Sequence, residues 1–482
     1  MTRATIALGA ATWSWPAIGH AQNSAPTSDA ESLRSIEPLG MLFKECSLPG
    51  ETRRDHVVPC HGSGIQVSRD RWLFIYSTHG FRGVDDERSI VYQLRRGAPD
   101  GPLVKEGFLA QGREDWDALN DGNTSPAPGK TFFKQHGHPV VFGVPKGAAI
   151  KGREFLHANL FVAKWRAVAR VLDREKNHIE HATAHQATRE GSQRVEWVQF
   201  RLNDSENDIE VVQVAKTMRQ AGYETGSAFC SHDNVRWMNQ SFVRPIAANE
   251  DFSEWADCNH FDGGRLAALK YRYNPRTKLY EWVETGPLSK SEKHALTEAS
   301  LCRLGEQWVI AARAGGRRGP AWMSAADPFS SLPSPTFSAA PASSGPISGY
   351  VCADGVLRLF TGDPTISPRT NPRDPLYCWD IDPTRGFAAS NRRLVFDSVE
   401  GRLPFRAAVV PKLDFTEVLP QHGDSQLVCH RVVTRAYHFP YAGGDGKPIG
   451  IPPINDEEEA ASGIYYERMI FQEQMPPAWE FA

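Results

Sequence analysis

Short, mostly apolar runs recur along most of the chain, separated by turns rich in Gly, Pro, Asn and Asp. Runs of this length between turn residues are typical of β-strands. One unit recurs: two short strands joined by a polar turn, then a loop, then a third strand. Clear copies lie at 64–95, 300–328 and 349–383, and looser copies lie at 140–165, 195–214, 266–285 and 426–439.

Antiparallel units that repeat in this way are typical of propeller blades. At about 45–65 residues per blade, roughly 460 residues correspond to about seven blades. We therefore predict an all-β fold, a seven-bladed β-propeller in a single domain. A large β-sandwich or a two-domain β protein is the alternative.

Composition and charge narrow the possible functions. The chain has 40 Gly, 34 Pro, 13 Trp, 12 Tyr and 24 Phe, which favours strands and turns over helices. The 54 Lys and Arg nearly balance the 57 Asp and Glu, without the basic block that a nucleic-acid partner needs. Beyond the N-terminal segment, no apolar run approaches the length of about 20 residues that spans a membrane.

The N-terminal segment has the pattern of a signal peptide. Arg3 is its only charged residue, 6–18 are mostly apolar or small, and 19–21 resemble a small-x-small cleavage site. This pattern predicts a secreted protein, extracellular or periplasmic. The predicted organisation is a signal peptide at 1–21, a linker at 22–36 and the propeller at 37–482.

A histidine cluster is the first candidate for chemistry. His136 and His138 flank Gly137, and on an extended segment residues i and i+2 point to one face. His157 follows at a distance that suits a neighbouring position on the same blade. Neutral imidazoles accept protons near neutral pH, so His136, His138 and His157 are predicted catalytic residues. The alternative is that they are loop histidines bonded to the backbone.

Two Cys-x-His units, 28 residues apart, form a second cluster: Cys230 with His232, and Cys258 with His260. Two thiolates and two imidazoles match a tetrahedral structural zinc site, with calcium as the alternative metal and no organic cofactor expected. The chain has eight cysteines, and outside the cytoplasm a Cys230–Cys258 disulfide is equally open.

Basic and aromatic residues also recur where predicted strands end, without an accompanying pair of carboxylates. Arg236 offers a planar fork for a carboxylate, Asn239 adds a donor, and Tyr223 can move a proton. Arg313 and His79 end two other strands and complete the predicted substrate-binding set. Hydrolysis of a glycoside normally needs two carboxylates, whereas β-elimination from a uronate needs a base, an acid and a group that neutralises the sugar carboxylate.

The blade pattern and the 134–139 segment, with a histidine about twenty residues later, resemble the propeller polysaccharide lyases of families 24 and 25. The resemblance implies a secreted ulvan lyase that cleaves the rhamnose-3-sulfate to glucuronate linkage by β-elimination. It places base and acid on the histidines and Tyr223, and the carboxylate-binding group on Arg236. It also places a structural metal on the Cys/His cluster.

The favoured hypothesis is thus a lyase that acts on an anionic, sulfated polysaccharide and leaves an unsaturated uronate end. Two alternatives stay open. One is a propeller glycoside hydrolase, rhamnosidase-like or sialidase-like, although the sequence has no Ser-x-Asp-x-Gly-x-x-Trp boxes. The other is a propeller that binds carbohydrate without turnover.

Overall fold

Antiparallel hairpins between consecutive strands build the fold, which we describe from a computed structural model. The described residues are 32–43, 59–79, 87–114, 129–150, 153–173, 178–180, 193–215, 231–232, 235–239, 244–261, 264–289, 294–315, 319–338, 346–363, 373–405, 411–420, 425–434, 441–442, 448–449, 455–475 and 477–481. The predicted signal peptide, Tyr223 and Cys230 lie outside these residues.

Six sheets form the blades of a propeller, and the first strand of the chain, β1 (Leu33–Met41), belongs to the last of them. Blade I contains β2 (Pro59–Ser68), β3 (Arg71–His79), β4 (Glu87–Arg96) and β5 (Leu103–Ala110). Blade II contains β6 (Arg113–Glu114), β7 (Lys130–Val144), β10 (Leu160–Asp173), β11 (His178–Glu180), β12 (Gln193–Leu202) and β13 (Ile209–Ala215). Blade III contains β14 (Ser231–His232), β15 (Val235–Asn239), β16 (Ile246–Ala247), β17 (Glu254–Phe261), β18 (Arg265–Asn274) and β19 (Leu279–Thr285).

The remaining three blades have four strands each. Blade IV contains β20 (Leu296–Leu304), β21 (Gln307–Ala314), β22 (Pro320–Ala325) and β23 (Thr336–Phe337). Blade V contains β24 (Ser348–Val351), β25 (Leu357–Gly362), β26 (Leu376–Asp382) and β27 (Ala388–Phe396). Blade VI contains β28 (Pro411–Val418), β29 (Ser425–Thr434), β32 (Gly463–Phe471) and β1.

Minor elements complete the described part. A small sheet joins β8 (Ala148–Ile150), β9 (Arg153–Glu154) and β33 (Glu480–Phe481), and a hairpin joins β30 (Tyr441–Ala442) to β31 (Pro448–Ile449). A short helix, α1 (Asp456–Ala461), and a 3₁₀ turn at Pro383–Arg385 are the helical segments. No helix among the described residues is long and apolar enough to cross a membrane.

The blades close into a ring through contacts between successive sheets. Blades III and IV share an apolar cluster that includes Cys258 and Leu296. Polar contacts join the other blades. The Ser63 Oγ of blade I accepts from Val141 N of blade II and donates to Glu417 of blade VI, and Lys164 of blade II pairs with Asp257 of blade III. Gly349 N of blade V donates to Ser300 Oγ of blade IV, and Tyr350 OH of blade V donates to Thr416 O of blade VI. Blade VI therefore contacts blade I directly.

The all-β propeller is confirmed, but the prediction of seven blades is wrong, because the described residues form six. The sequence units at 140–165 and 195–214 are two halves of one sheet: β10 pairs with β7 on one side and with β12 on the other. The polar segment between them is thus an insertion within blade II rather than a boundary between blades.

The N-terminal strand closes the ring. β1 runs antiparallel to β32, with Leu33 opposite Phe471 and Met41 opposite Tyr465. Leu33 is buried in the core between blades V and VI. Residues 33–36 of the predicted linker therefore belong to the propeller.

Candidate functional site

Different ends of the blade strands lie at the two ends of the ring. The first strand of each blade begins where the second strand finishes, and we call this the upper end; the hairpins between these strands lie at the lower end. His61, at the start of β2, is opposite Ser77, near the finish of β3. The upper end therefore gathers residues from the starts of β2, β7, β20 and β28.

Bulges interrupt three of the innermost strands near this end. His138 in β7, Glu298 in β20 and Phe415 in β28 have positive φ values of 54°, 47° and 53°. Each lies where the register with the neighbouring strand shifts. Non-glycine residues seldom adopt this conformation, and bulges re-aim side chains next to functional sites. The same feature recurs in blades II, IV and VI.

Two imidazoles meet beside the axis. The rings of His61 and His138 lie with centroids 4.1 Å apart, and Phe415 packs edge-on to His61 at 4.1 Å. The Arg431 guanidinium carbon lies 4.4 Å from the centroid of the Phe415 ring. We call His61, His138, Phe415 and Arg431 the axial cluster. It joins three blades that neighbour one another around the ring.

A layer of polar groups lies below the axial cluster. The Ser63 Oγ donates to the Glu417 carboxylate at 2.9 Å, and Arg244 Nη1 lies 3.7 Å from the same oxygen. Burial raises the pKa of Glu417 to about 7, although Arg244 and the Ser63 hydrogen bond both oppose the shift. This carboxyl therefore changes charge close to neutral pH.

Two further carboxylates, those of Glu196 and Asp257, are bound to cationic or hydrogen-bonding partners. Glu196 Oε2 lies 3.2 Å from His136 Nε2 and accepts from Trp165 Nε1 at 3.1 Å. Asp257 forms an ion pair with Lys164, and both side chains are almost fully buried. Burial lowers the pKa of Lys164 well below its ordinary value.

The histidine pair predicted in β7 divides between two environments. His136 contacts Glu196, and its Nδ1 lies 3.4 Å from the Arg88 carbonyl oxygen, so polar groups face both ring nitrogens. His138 instead contacts His61 beside the axis, with the two rings tilted by 49°. His138 is therefore the better placed of the two to meet a ligand at the upper end.

His157 lies at the other end of the molecule. It precedes β10 in the connection from β7, where Asn159 N bonds to Val144 O. Val144 is six residues beyond His138, which amounts to about 20 Å along a strand. The expectation that His157 joins the other two histidines therefore fails in the structure, because the connection folds back under the lower end.

The remaining predicted binding residues lie on strands that reach the upper end. His79 ends β3, Arg236 is opposite Ser231, and Asn239 is opposite His260. For these three the structure describes the backbone. The Arg313 guanidinium donates to the Glu298 carboxylate at 2.7 Å, so the bulge in blade IV holds it.

The proposed metal ligands are described only in part. The Cys258 side chain lies in the apolar cluster between blades III and IV, and burial raises its thiol pKa to about 12. Asn239 in β15 and His260 in β17 face each other across the ladder. No group of three or more potential metal ligands occurs among the residues that the structure describes. The metal site remains a prediction, since Cys230 lies outside them.

Sequence reasoning assigned no role to His61, Phe415, Arg431 or Glu417. His61 lies in a Cys-His-Gly segment just upstream of a predicted strand, and this position was a usable signal. Phe415, Arg431 and Glu417 occur in sequence as ordinary members of alternating strands, and the bulge at Phe415 leaves no trace in the pattern.

No protein-family model and no curated protein matches the sequence. Solved structures do match. A protein of unknown function from Dyadobacter fermentans aligns with a TM-score of 0.52 and 7% identity over 92% of this chain and 100% of that chain. The sialidase of Trypanosoma rangeli aligns with a TM-score of 0.50 and 10% identity over 91% of this chain but 58% of that chain. At these identities the likeness establishes the β-propeller fold alone.

Proposed function

We propose that the protein is a polysaccharide lyase that acts on a uronate-containing, sulfated glycan at the upper end of the propeller. The observation that carries the proposal is the contact between the tilted rings of His61 and His138, with Arg431 behind Phe415, beside the axis. Two imidazoles in contact favour a state in which at least one is neutral, because two adjacent positive charges repel each other. A neutral imidazole is the base that the reaction needs.

The reaction would proceed by β-elimination. A neutral imidazole takes the proton from carbon 5 of the uronate, and the electron pair forms the double bond between carbons 4 and 5. The bond from carbon 4 to the leaving oxygen breaks, and that oxygen takes a proton from an acid. Cations beside the sugar carboxylate stabilise the negative charge that develops. Tyr223 and Arg236 remain the proposed acid and carboxylate-binding group.

The carboxylates of the axial region favour elimination over hydrolysis. Glu196, Asp257 and Glu417 are each buried and each engaged with a nearby partner. Hydrolysis of a glycoside normally needs one carboxyl to protonate the bond and a second to attack or to activate water. These partners hold the three carboxylates, which disfavours either role for them.

A glycoside hydrolase acting on an anionic sugar is the second candidate. One observation favours it: Glu298 lies at the bulge of blade IV, is only partly buried, and is paired with Arg313. The likeness in fold to the Trypanosoma rangeli sialidase also supports this candidate. The products distinguish the two candidates, since only elimination leaves a conjugated double bond.

The test is ultraviolet absorbance and reducing-end release on a panel of uronate polysaccharides that includes ulvan. We expect absorbance to rise, and His138→Asn to reduce the rate by about 10²-fold or more, as removal of a general base does. Asn tolerates the positive φ at this position, so the backbone keeps its conformation. The matched control is Lys278→Asn, at an exposed turn of the lower end with φ of 58°, which should keep full activity.

New reducing ends without absorbance would replace the lyase by the hydrolase. Neither signal on any substrate, with binding retained, would leave a carbohydrate-binding propeller. A His138→Asn variant that is folded and fully active would exclude the axial cluster as the site of chemistry.

A further inference from the structure

An arginine crosses the axis of the propeller below the axial cluster. Arg244 lies in the connection between β15 and β16 of blade III, yet its Nη2 donates to the Val418 carbonyl of blade VI at 3.0 Å. In a ring of six, blades III and VI are opposite each other. The Arg244 side chain therefore spans the central channel, next to the Glu417 carboxyl.

Glu417 lies one layer beneath the two imidazoles. Along β2, Ser63 is two residues beyond His61, and along β28, Glu417 is two residues beyond Phe415. Two residues of a strand amount to about 7 Å. The hydrogen bond from Ser63 to Glu417 joins the two strands at this lower level, as the contact of His61 with Phe415 joins them above.

Among the residues that the structure describes, few titratable or charged groups face Glu417. Arg244 is the nearby cation, Ser63 donates the hydrogen bond, and Tyr350 and Cys429 lie close enough for Glu417 to influence them. Burial raises the pKa of the Tyr350 hydroxyl and of the Cys429 thiol, so both stay neutral in the physiological range. From above, Arg431 adds a positive charge behind Phe415.

We infer that Glu417 is a positioning residue that sets the protonation of the His61–His138 pair through its own charge. An ionised carboxylate beneath the pair stabilises a protonated imidazole, whereas a neutral carboxyl leaves the cations Arg244 and Arg431 to disfavour it. A unit charge about 7 Å away, at an effective dielectric constant of about 20, shifts a pKa by about 1.7 units. Because the groups lie this close together, a change of charge on one alters the proton affinity of the other, so their titrations are coupled.

This role rests on the proposed function only for its effect on turnover; the coupling itself exists without substrate. The test is an NMR titration of the intact protein labelled at histidine carbon ε1, with the two resonances assigned by loss in His61→Gln and His138→Asn. In the unaltered protein we expect each titration to be broader than that of a single independent group, with a Hill coefficient below one. In Glu417→Gln they should become narrower and move to lower pH, by up to about 1.7 units.

Glu467→Gln is the matched control. Glu467 is another fully buried glutamate of blade VI, 3.0 Å from His430 and away from the axis, so its loss should leave the His61 and His138 titrations unchanged. Thermal unfolding at each pH verifies that both variants are folded. If Glu417→Gln moves neither imidazole by more than about 0.3 units, the inference is wrong.

Kinetics provide a second, separate measurement. In the proposed lyase the base must be neutral, so the acidic limb of the pH profile of kcat/KM should move to lower pH in Glu417→Gln by the same amount as the imidazole titration. Absence of lyase activity together with the NMR shift would refute the function and keep the coupling. Lyase activity without any shift of the imidazole titrations in Glu417→Gln would support the function and refute the coupling.

Discussion

His157→Ala separates a catalytic role from a structural one. The imidazole is buried at the lower end, contacts the tilted ring of Tyr273 with centroids 3.5 Å apart and lies edge-on to Tyr280 at 6.1 Å. Within the part of the chain that the structure describes, neither ring nitrogen has a hydrogen-bond partner. We therefore expect the substitution to affect stability and to leave the rate of turnover per folded molecule unchanged.

Two opposing terms set the size of the effect. Loss of a buried ring and the cavity that remains cost about 3 kcal/mol. Removal of a buried polar group without hydrogen-bond partners stabilises the folded state by about 1 to 2 kcal/mol. The expected net loss in the free energy of unfolding is thus about 1 to 2 kcal/mol at pH 7.5.

The loss should shrink in acid. Burial lowers the pKa of His157, and the nearby Asp251 charge opposes that shift only in part. Because the unfolded chain takes up the proton first, the unaltered protein loses stability as the pH falls below the unfolded pKa of about 6.5, by at most about 1.4 kcal/mol per pH unit for this group. His157→Ala lacks this loss, so the two unfolding curves should converge toward pH 5.

Urea unfolding followed by tryptophan fluorescence at several pH values measures these differences. Leu156→Ala is the control, since the neighbouring Leu156 side chain is 79% exposed and its truncation should change stability by less than about 0.5 kcal/mol. A His157→Ala variant with unaltered stability and a large loss of turnover would refute the reasoning and return His157 to the catalytic residues.

Two further predictions concern stability alone. Arg358→Met should cost about 3 to 5 kcal/mol in the urea midpoint analysis, because it leaves Asp354 and Asp380 without the buried guanidinium that binds both, and adding Asp354→Asn should recover part of the loss. Gly64→Ala should lower the unfolding midpoint by an amount equivalent to about 1 to 3 kcal/mol, since the new methyl would lie 2.5 Å from two ring carbons of Phe74, and a loss of less than about 0.5 kcal/mol would show that the ring yields freely.

The pattern of short apolar runs and turns predicted most of the architecture because each blade consists largely of consecutive antiparallel strands buried against neighbouring blades. The unit at 300–328 corresponds to β20, β21 and β22, and the unit at 349–383 to β24, β25 and β26. The sequence pattern did not predict the number of blades correctly. A polar insertion such as 174–192 can lie within one blade or between two blades. The pairing of β10 with β12, on either side of the insertion, decides this, and the sequence pattern does not reveal that pairing.

The site was predictable only where one segment carries it. His136 and His138 stand out in the sequence because they are two residues apart, and the structure does bring His138 to the axis. Its partner His61 lies in another blade, 77 positions earlier, and only closure of the ring places the two rings in contact. His157 is nearer to His138 in sequence than His61 is, yet the strand between them carries it to the opposite end.

The number of blades decides which residues meet across the axis. With six blades, blade III is diametrically opposite blade VI, and one arginine side chain is long enough to reach from the connection after β15 to the Val418 carbonyl. A seventh blade would widen the channel and leave no blade directly opposite another, so Arg244 and Glu417 would have no reason to meet. The miscounted blade and the missed Glu417 thus have one origin. The blade count and the position of Glu417 both depend on the strand pairing within blade II. This pairing sets the number of blades in the ring, and therefore which residues lie beneath the imidazoles.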